Sequence, residues 1–230
     1  FPLMLVPETV HKKIHEVFGN GTLKIMSLRF NGSLEQLKNL DSEGSKDRIA
    51  AEIYFREVDW RSPLPLLKKV TGSFGYKNGD GFIEIMNAGF EGFSLANIKG
   101  TVRSIMKKPL ADLSMESELD LGKLKRFLKK SIIGQSFENI LDDYQKVKGN
   151  GLIGVKLQGP LNEIEKTSMT AVLSVKNVSF FDAYLQSQVR NFNGQLYFHH
   201  VPVENQKEPK SSVPIVEGKN LSGEFGKSEF

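Results

Sequence analysis

At 230 residues, 39% hydrophobic and 25% charged, the chain is long enough to bury a core, and its composition is globular rather than disordered. Against 27 acidic residues there are 31 basic ones, and the resulting net charge of +4 is an ordinary solubility charge that argues for neither nucleic acid nor an anionic surface. With no cysteine, disulfide frameworks, thiol catalysis and thiolate metal sites are excluded, and the longest apolar run, Leu3 to Val6, is far short of the ~20 residues of a spanning helix.

The chain opens Phe1-Pro2 and is expected to be a piece of a longer protein, with any anchor or signal outside it. Val10, Ile14, Val17 and Phe18 recur at helical spacing, which predicts a helix over Pro7 to Phe18 stopped by Gly19 and Gly21. His11 and His15 share a face of that helix, but without a carboxylate motif around them solvent exposure is the better reading than metal ligation. Strand signals follow at Leu23 to Phe30, Ile49 to Val58, Gly72 to Tyr76, Phe82 to Met86, Phe90 to Leu95, Lys99 to Met106 and Asp112 to Leu121. A short helical piece, Leu64 to Val70, is expected between the second and third of these. Asn78-Gly79 supplies the positive φ of a tight hairpin turn, so a meander is the economical arrangement. In the last strand Leu113, Met115, Leu119 and Leu121 alternate with Asp112, Ser114, Glu116, Glu118 and Asp120: one face meets water and the other does not.

From Gly122 to Val147 the period turns helical, with a break at Gly134 and a new cap at Ser136, which predicts two short amphipathic helices. Lys123, Lys125, Arg126, Lys129 and Lys130 crowd into the first. They suit either anionic lipid head groups or a solvated face, and the solvated face is preferred. Beyond lies an echo. Met169 to Phe180 repeats the pattern of Ile49 to Trp60 at a displacement of 169 − 49 = 120 positions, and both copies slip phase together, at Val58 and at Val178. The matched slip predicts a bulge or bend at one place in each strand. The echo extends to Gly19-Asn20-Gly21 against Gly149-Asn150-Gly151, to Gly72 to Tyr76 against Gly194 to Phe198, and to Gly100 against Gly223. Two units are therefore expected, 1–148 with connecting helices at about 122–147, and 149–230, the second incomplete. Ala183 to Val189 stands where Leu64 to Val70 stands in the first copy, and Val201 to Ser212 reads as a long polar loop.

Motifs with chemistry do not survive inspection. Gly149 to Gly154 spells GxGxxG, but it enters a strand after a predicted helix, the reverse of the context that a pyrophosphate requires, so the glycines are read as a helix stop and turn. Three Asn-x-Ser sequons, at Asn31, Asn177 and Asn220, are no more than chance supplies. Asp142-Asp143 has no histidine to complete an acid/base set, and His199-His200 stands where the first copy has Lys77-Asn78, against a shared catalytic role. The aromatic residues are not interleaved with Arg and Lys in a nucleic-acid platform. The expectation is a non-enzymatic protein with no cofactor, no metal and no nucleic-acid partner.

What remains is an imbalance between apolar strand faces and the helix available to cover them. An apolar sheet face has to meet another layer or a ligand. A β-sandwich or closed barrel whose faces cover each other is one solution; a twisted, curved sheet or groove floored by apolar side chains and covered by acyl chains is the other. A carbohydrate-active β-enzyme would need two converging carboxylates, for which there is no candidate pair.

The order of the segments bears on that choice. Leu64-Pro65-Leu66-Leu67 precedes Gly72, Phe74 and Tyr76; the Asn78-Gly79 turn follows, then Ala88, Phe90, Gly92 and Leu95, then Lys99-Gly100-Thr101-Val102. This pattern, over about Gly19 to Gly223, resembles the AsmA-like proteins of the Gram-negative envelope, particularly the YhdP and TamB branch. The resemblance implies a mainly β fold of repeated antiparallel strands forming a lipid-carrying groove, in the periplasm, tethered to the inner membrane by a segment outside this chain. It implies phospholipid acyl chains as ligand, passage between inner and outer membrane, and envelope proteins as possible partners. Alternation nominates Ile53, Phe55, Phe74, Tyr76, Phe82, Leu173, Val175, Leu196 and Phe198 as the lining. The competing reading is a structural or interaction β-sandwich without lipid.

Overall fold

The computed structural model describes residues 18–33, 48–61, 67–105, 108–130, 142–161, 163, 166–200, 215–226 and 228–229. The helix predicted from Pro7 with its His11 and His15, residues 64–66, most of the second predicted helix and the polar tail from Val201 lie outside the described residues.

Strand chemistry dominates the rest. The elements are β1 (Thr22–Phe30), β2 (Ile49–Trp60), β3 (Leu67–Lys77), β4 (Asp80–Phe90), β5 (Phe93–Arg103), β6 (Leu110–Asp120), α1 (Leu121–Lys130), β7 (Tyr144–Lys148), β8 (Asn150–Pro160), β9 (Ser168–Asp182), β10 (Ser187–His200), β11 (Ile215–Phe225) and β12 (Ser228–Glu229). Hydrogen bonding orders them β1-β2-β3-β4-β5-β6-β8-β9-β10-β11-β12, with β7 on β9, in one 12-stranded sheet. Apart from β7, neighbours in sequence are neighbours in space, and β1–β2, β2–β3, β3–β4, β5–β6, β9–β10 and β10–β11 run antiparallel, the meander that short turns allow. The fold is thus mainly β, as the alternation predicts.

Turns carry the expected signature. Asn78 and Gly79 have φ of 55° and 85°, as a type I′ turn needs, and join β3 to β4. Glu91 and Gly92, at 47° and 85°, make the same turn between β4 and β5. Phe90 to Leu95, expected as one strand, is therefore the tip of a hairpin, because the Glu-Gly pair breaks it.

The matched phase slip is a matched bulge. Glu57 in β2 and Asn177 in β9 have φ of 53° and 54°, and the strand register shifts beside each. In β2 the Glu57 amide donates to Thr71 Oγ1 at 3.2 Å, and in β9 the Asn177 amide donates to Asn193 Oδ1 at 2.9 Å. A side chain on the next strand thus satisfies the amide that leaves the ladder. The bulge inserts one residue, so apolar side chains three apart, Phe55 and Val58 or Val175 and Val178, stay on one face.

That device also explains where helix was expected and strand is found. Leu67 to Val70 belongs to β3 and Tyr144 to Val147 to β7, with Lys69 and Lys146 at φ of 51° and 52°. A spacing of three across a bulge imitates helical periodicity. Ala183 to Gln186 is a turn rather than a helix, with the Leu185 amide donating to Asp182 Oδ1 at 2.9 Å, and Val189 lies in β10. Gly149 follows β7 and not a helix: it is a bend at φ of 119° from which β8 starts. The one helix with a described cap, α1, begins where β6 ends, because Asp120 Oδ1 accepts the Lys123 amide at 2.8 Å.

Two compact units result, one of Phe1–Phe90, Leu95–Ser114 and Leu157–Thr167, the other of Glu91–Ser94, Met115–Lys156 and Ser168–Phe230. In the first, Phe55, Val58, Trp60, Leu67, Val70, Ile85 and Ala88 form the core. Phe18 joins it with ring centroids 5.3 Å from Trp60 and 6.4 Å from Phe55. In the second, Leu121, Val178, Val175 and Leu173 are the buried centre, and the Phe180 ring meets Tyr144 and Phe192 edge-on at 5.2 and 5.6 Å. The hydroxyls of the buried residues Ser117 and Thr167 are satisfied: Ser117 donates to the Ser94 carbonyl at 2.9 Å and Thr167 to that of Pro160 at 2.7 Å.

Gly72, opposite Phe55, is required by close approach, since a Cβ there would lie 2.2 Å from the Glu84 carbonyl oxygen and 2.8 Å from Ile85 Cα. Denaturant unfolding is expected to show Phe55→Ala lowering stability by about 3–5 kcal/mol, a buried ring lost to a cavity. Gly72→Ala should cost more than about 1 kcal/mol. At the bulge, Glu57→Gly should leave stability unchanged or raise it by up to ~1 kcal/mol, whereas Glu57→Val should lower it by more than about 1 kcal/mol. Equal effects of these two substitutions would refute the left-handed bulge.

Candidate functional site

Directly paired residues on neighbouring strands point to the same face. Ile53 pairs with Phe74 and Phe74 with Ile83; Phe55 pairs with Gly72 and Gly72 with Ile85; Ala51 pairs with Tyr76. Ile53, Phe55, Phe74 and Tyr76 therefore share one face, the one that carries the core of the first unit. In the second unit Leu196 pairs with Leu173, Phe198 with Ala171 and Gly194 with Val175. The four nominated residues Leu173, Val175, Leu196 and Phe198 come together in a single cluster, joined by Ile153, Val147 and Leu124 of α1.

Phe82 does not join its nominated companions. It pairs with Gly75, between Glu84 and Asp80, and so lies on the opposite, polar face, 47% exposed. Aromatic character and strand position nominated it; the parity of the Asn78-Gly79 turn, which sets Phe82 against Gly75, decides otherwise.

Cover along the apolar face of the first unit is graded. At one end Phe55 and Val70 are 0% exposed. Ile53, Phe74 and Tyr76 are half-buried. On β1, Leu23 pairs with Phe55, Ile25 with Ile53 and Leu28 with Ala51, so the same face continues there, with exposures of 36%, 39% and 50%. These three residues were not nominated, although the apolar spacing of Leu23, Ile25 and Leu28 carries the signal once the register shift between Ile25 and Ser27 is allowed for. In the second unit Val216 pairs with Phe198 and is 47% exposed, so the apolar face again reaches a thinly covered strand.

The polar face is different in kind. In the first unit it holds an open concavity of about 600 Å³ whose lining combines the charged Arg29, Glu52, Lys77, Glu84 and Lys99 with Ala50, Tyr76, Phe82 and Ile83. In the second a concavity of about 290 Å³ is bordered by Glu118, Asn150, Ser174 and Lys176, where Asn150 Nδ2 donates to Glu118 Oε1 at 2.8 Å. These are mixed-charge, water-facing surfaces. Among the described residues no three His, Asp or Glu side chains come together as metal ligands. Glu163 has its carboxyl held below the usual carboxylate range, first by the hydrogen bond from Lys166 and then by that ammonium's charge, an exposed tie within a turn. GxGxxG runs from the Gly149 bend into β8 and not into the start of a helix, so no helix N-terminus meets it as a phosphate site requires. Among the described residues no helix is long and apolar enough to cross a membrane.

The arrangement can therefore hold apolar matter by contact. No curated protein and no solved structure matches the chain. A family model described as YhdP protein matches residues 1–207, nearly all of the strands that build both apolar clusters. The chain belongs to the YhdP family of AsmA-like envelope proteins.

Proposed function

We propose that this chain is a non-enzymatic lipid-binding and transfer segment, holding phospholipid acyl chains against its apolar strand face during passage between the inner and outer membranes. On this reading it works in the periplasm and is tied to the inner membrane through a segment outside this chain; its partners are lipid and other envelope proteins. The observation that carries the proposal is the graded cover of the apolar face, from Phe55 and Val70 at 0% exposure to Leu23, Ile25 and Leu28 at 36%, 39% and 50%. A face continuous with the core but left open to water over several strands is the kind of surface that a greasy ligand completes.

The physics needs no specific polar contact. Each CH₂ removed from water contributes about 0.8 kcal/mol, so it takes roughly a dozen methylenes of an acyl chain, about 10 kcal/mol in all, to offset an association cost of roughly 4–15 kcal/mol. Because the contact is non-directional, a lipid can shift along the face without breaking a fixed set of bonds, which suits transfer better than tight storage. Belonging to an AsmA-like envelope family supports the compartment. The rival reading, a lipid-free sandwich, is disfavoured because the described strands follow one another in a single hydrogen-bonded sheet.

Native mass spectrometry of the chain after mild extraction should show co-purified phospholipid. Repeated absence of lipid, together with no uptake of a fluorescent phospholipid from vesicles, would overturn the proposal. Position can be tested separately with a photoreactive side chain. Lipid adducts are expected from Phe74 and Leu196, and not from Phe82 or Glu84 on the polar face. Adducts of equal yield from both faces would rule out the apolar face as the site. Ile53→Asp should cut uptake by roughly tenfold, since a carboxylate on that face denies the acyl chain its contact.

A further inference from the structure

Helix α1 joins the apolar face of the second unit to a strongly basic surface. Leu121 is buried in the cluster of Leu173, Val175 and Val178, and Leu124 packs against it. Between and beyond them stand Lys123, Lys125 and Arg126, and the helix sequence contains no acidic residue at all. Among the described residues neither Lys123 nor Arg126 forms an ion pair, and both are exposed.

The helix is held in place rather than merely tethered. Asp120 caps it, the Leu121 amide donates to the Gly149 carbonyl at 3.0 Å, and the Lys125 ammonium donates to the Tyr144 carbonyl of β7. Gly122 lies so near β7 that a Cβ would stand 2.9 Å from the Val147 carbonyl oxygen. The backbone that carries Lys123, Lys125 and Arg126 is thus fixed beside the apolar cluster of this unit.

We infer that α1 is a headgroup-reading border, at which Lys123 and Arg126 hold the anionic headgroup of a phospholipid whose chains lie on Leu196 and Phe198, the half-buried members of the cluster on which the helix packs. This inference rests on the lipid reading above and adds to it a selection: net-negative headgroups over zwitterionic ones. Charge complementarity supplies the argument, since a basic side chain near an anionic headgroup favours binding by several-fold, whereas apolar contact by itself treats the two lipid classes alike.

The test compares uptake of fluorescent phosphatidylglycerol and fluorescent phosphatidylethanolamine from phosphatidylcholine vesicles by the whole chain. It uses the unaltered protein, Lys123→Gln/Arg126→Gln, and the charge-matched Lys77→Gln/Lys99→Gln on the polar face of the first unit, with circular dichroism confirming that each variant is folded. The unaltered chain should favour phosphatidylglycerol by roughly tenfold, and Lys123→Gln/Arg126→Gln should bring the two lipids near parity by lowering phosphatidylglycerol uptake alone. Lys77→Gln/Lys99→Gln should keep the preference. An unchanged preference in the helix variant, an equal drop in the control variant, or loss of the preference on adding inorganic phosphate at unchanged ionic strength would each overturn the inference while the lipid reading stands. Uptake of neither lipid by the unaltered chain would bring down the lipid reading itself, and this one with it.

Discussion

An extended backbone sends every second side chain to the same side, and here that side is apolar on strand after strand. In the first unit Ile53, Phe55, Phe74, Ile83 and Ile85 pair across β2, β3 and β4; in the second Leu173, Val175, Leu196 and Phe198 do so across β9 and β10. Surface of this kind is costly to leave in water, at about 25 cal/mol per Å², and each unit meets the cost unevenly. Aromatic packing around Phe18, Phe55 and Trp60 seals one end in the first. Helix α1 lies on the cluster of the second. What neither covers is the surface on which the lipid reading depends.

The bulges keep that surface continuous. A strand that bends or twists sharply loses its alternation unless one residue is inserted, and the positive-φ residues Glu57, Lys69, Asn177 and Asn191 stand at such insertions. In each pair only the second copy has the residue best suited to the left-handed region: Asn177 and Asn191 tolerate it, while Glu57 and Lys69 adopt it at a cost. The neighbouring strand compensates in both copies, through Thr71 in one and Asn193 in the other. Duplication has thus preserved the geometry of the bend while its letters changed.

Polar and apolar functions are divided between the two faces of the same strands. The concavities near Phe82 and near Asn150 are bordered by side chains of both signs together with apolar ones such as Phe82, Ile83 and Leu152, while the buried clusters are built of hydrophobic residues. Helix α1 is the exception: it carries both characters at once, with leucines on the cluster and cations outside it. An amphiphile is the ligand class that presents the same division.

Much was legible in the letters because it is local. Alternation marks β1, β2, β6 and β9 within a residue or two, Asn78-Gly79 marks its turn, and the doubled phase slip at Val58 and Val178 marks the bulges. The same local reading failed where apolar residues stand three apart across a bulge, at Leu67 and Val70 and at Tyr144 and Val147, since a spacing of three is common to a helix turn and to a bulged strand. Nor did it separate Phe82 from Phe74, whose faces depend on the parity of the turn between them. By itself the sequence determined which strand positions are greasy, because side-chain direction follows from backbone period. The tertiary structure alone decided which of them are covered, from Phe55 fully enclosed to Leu28 half in water, because cover depends on what distant parts of the chain bring alongside.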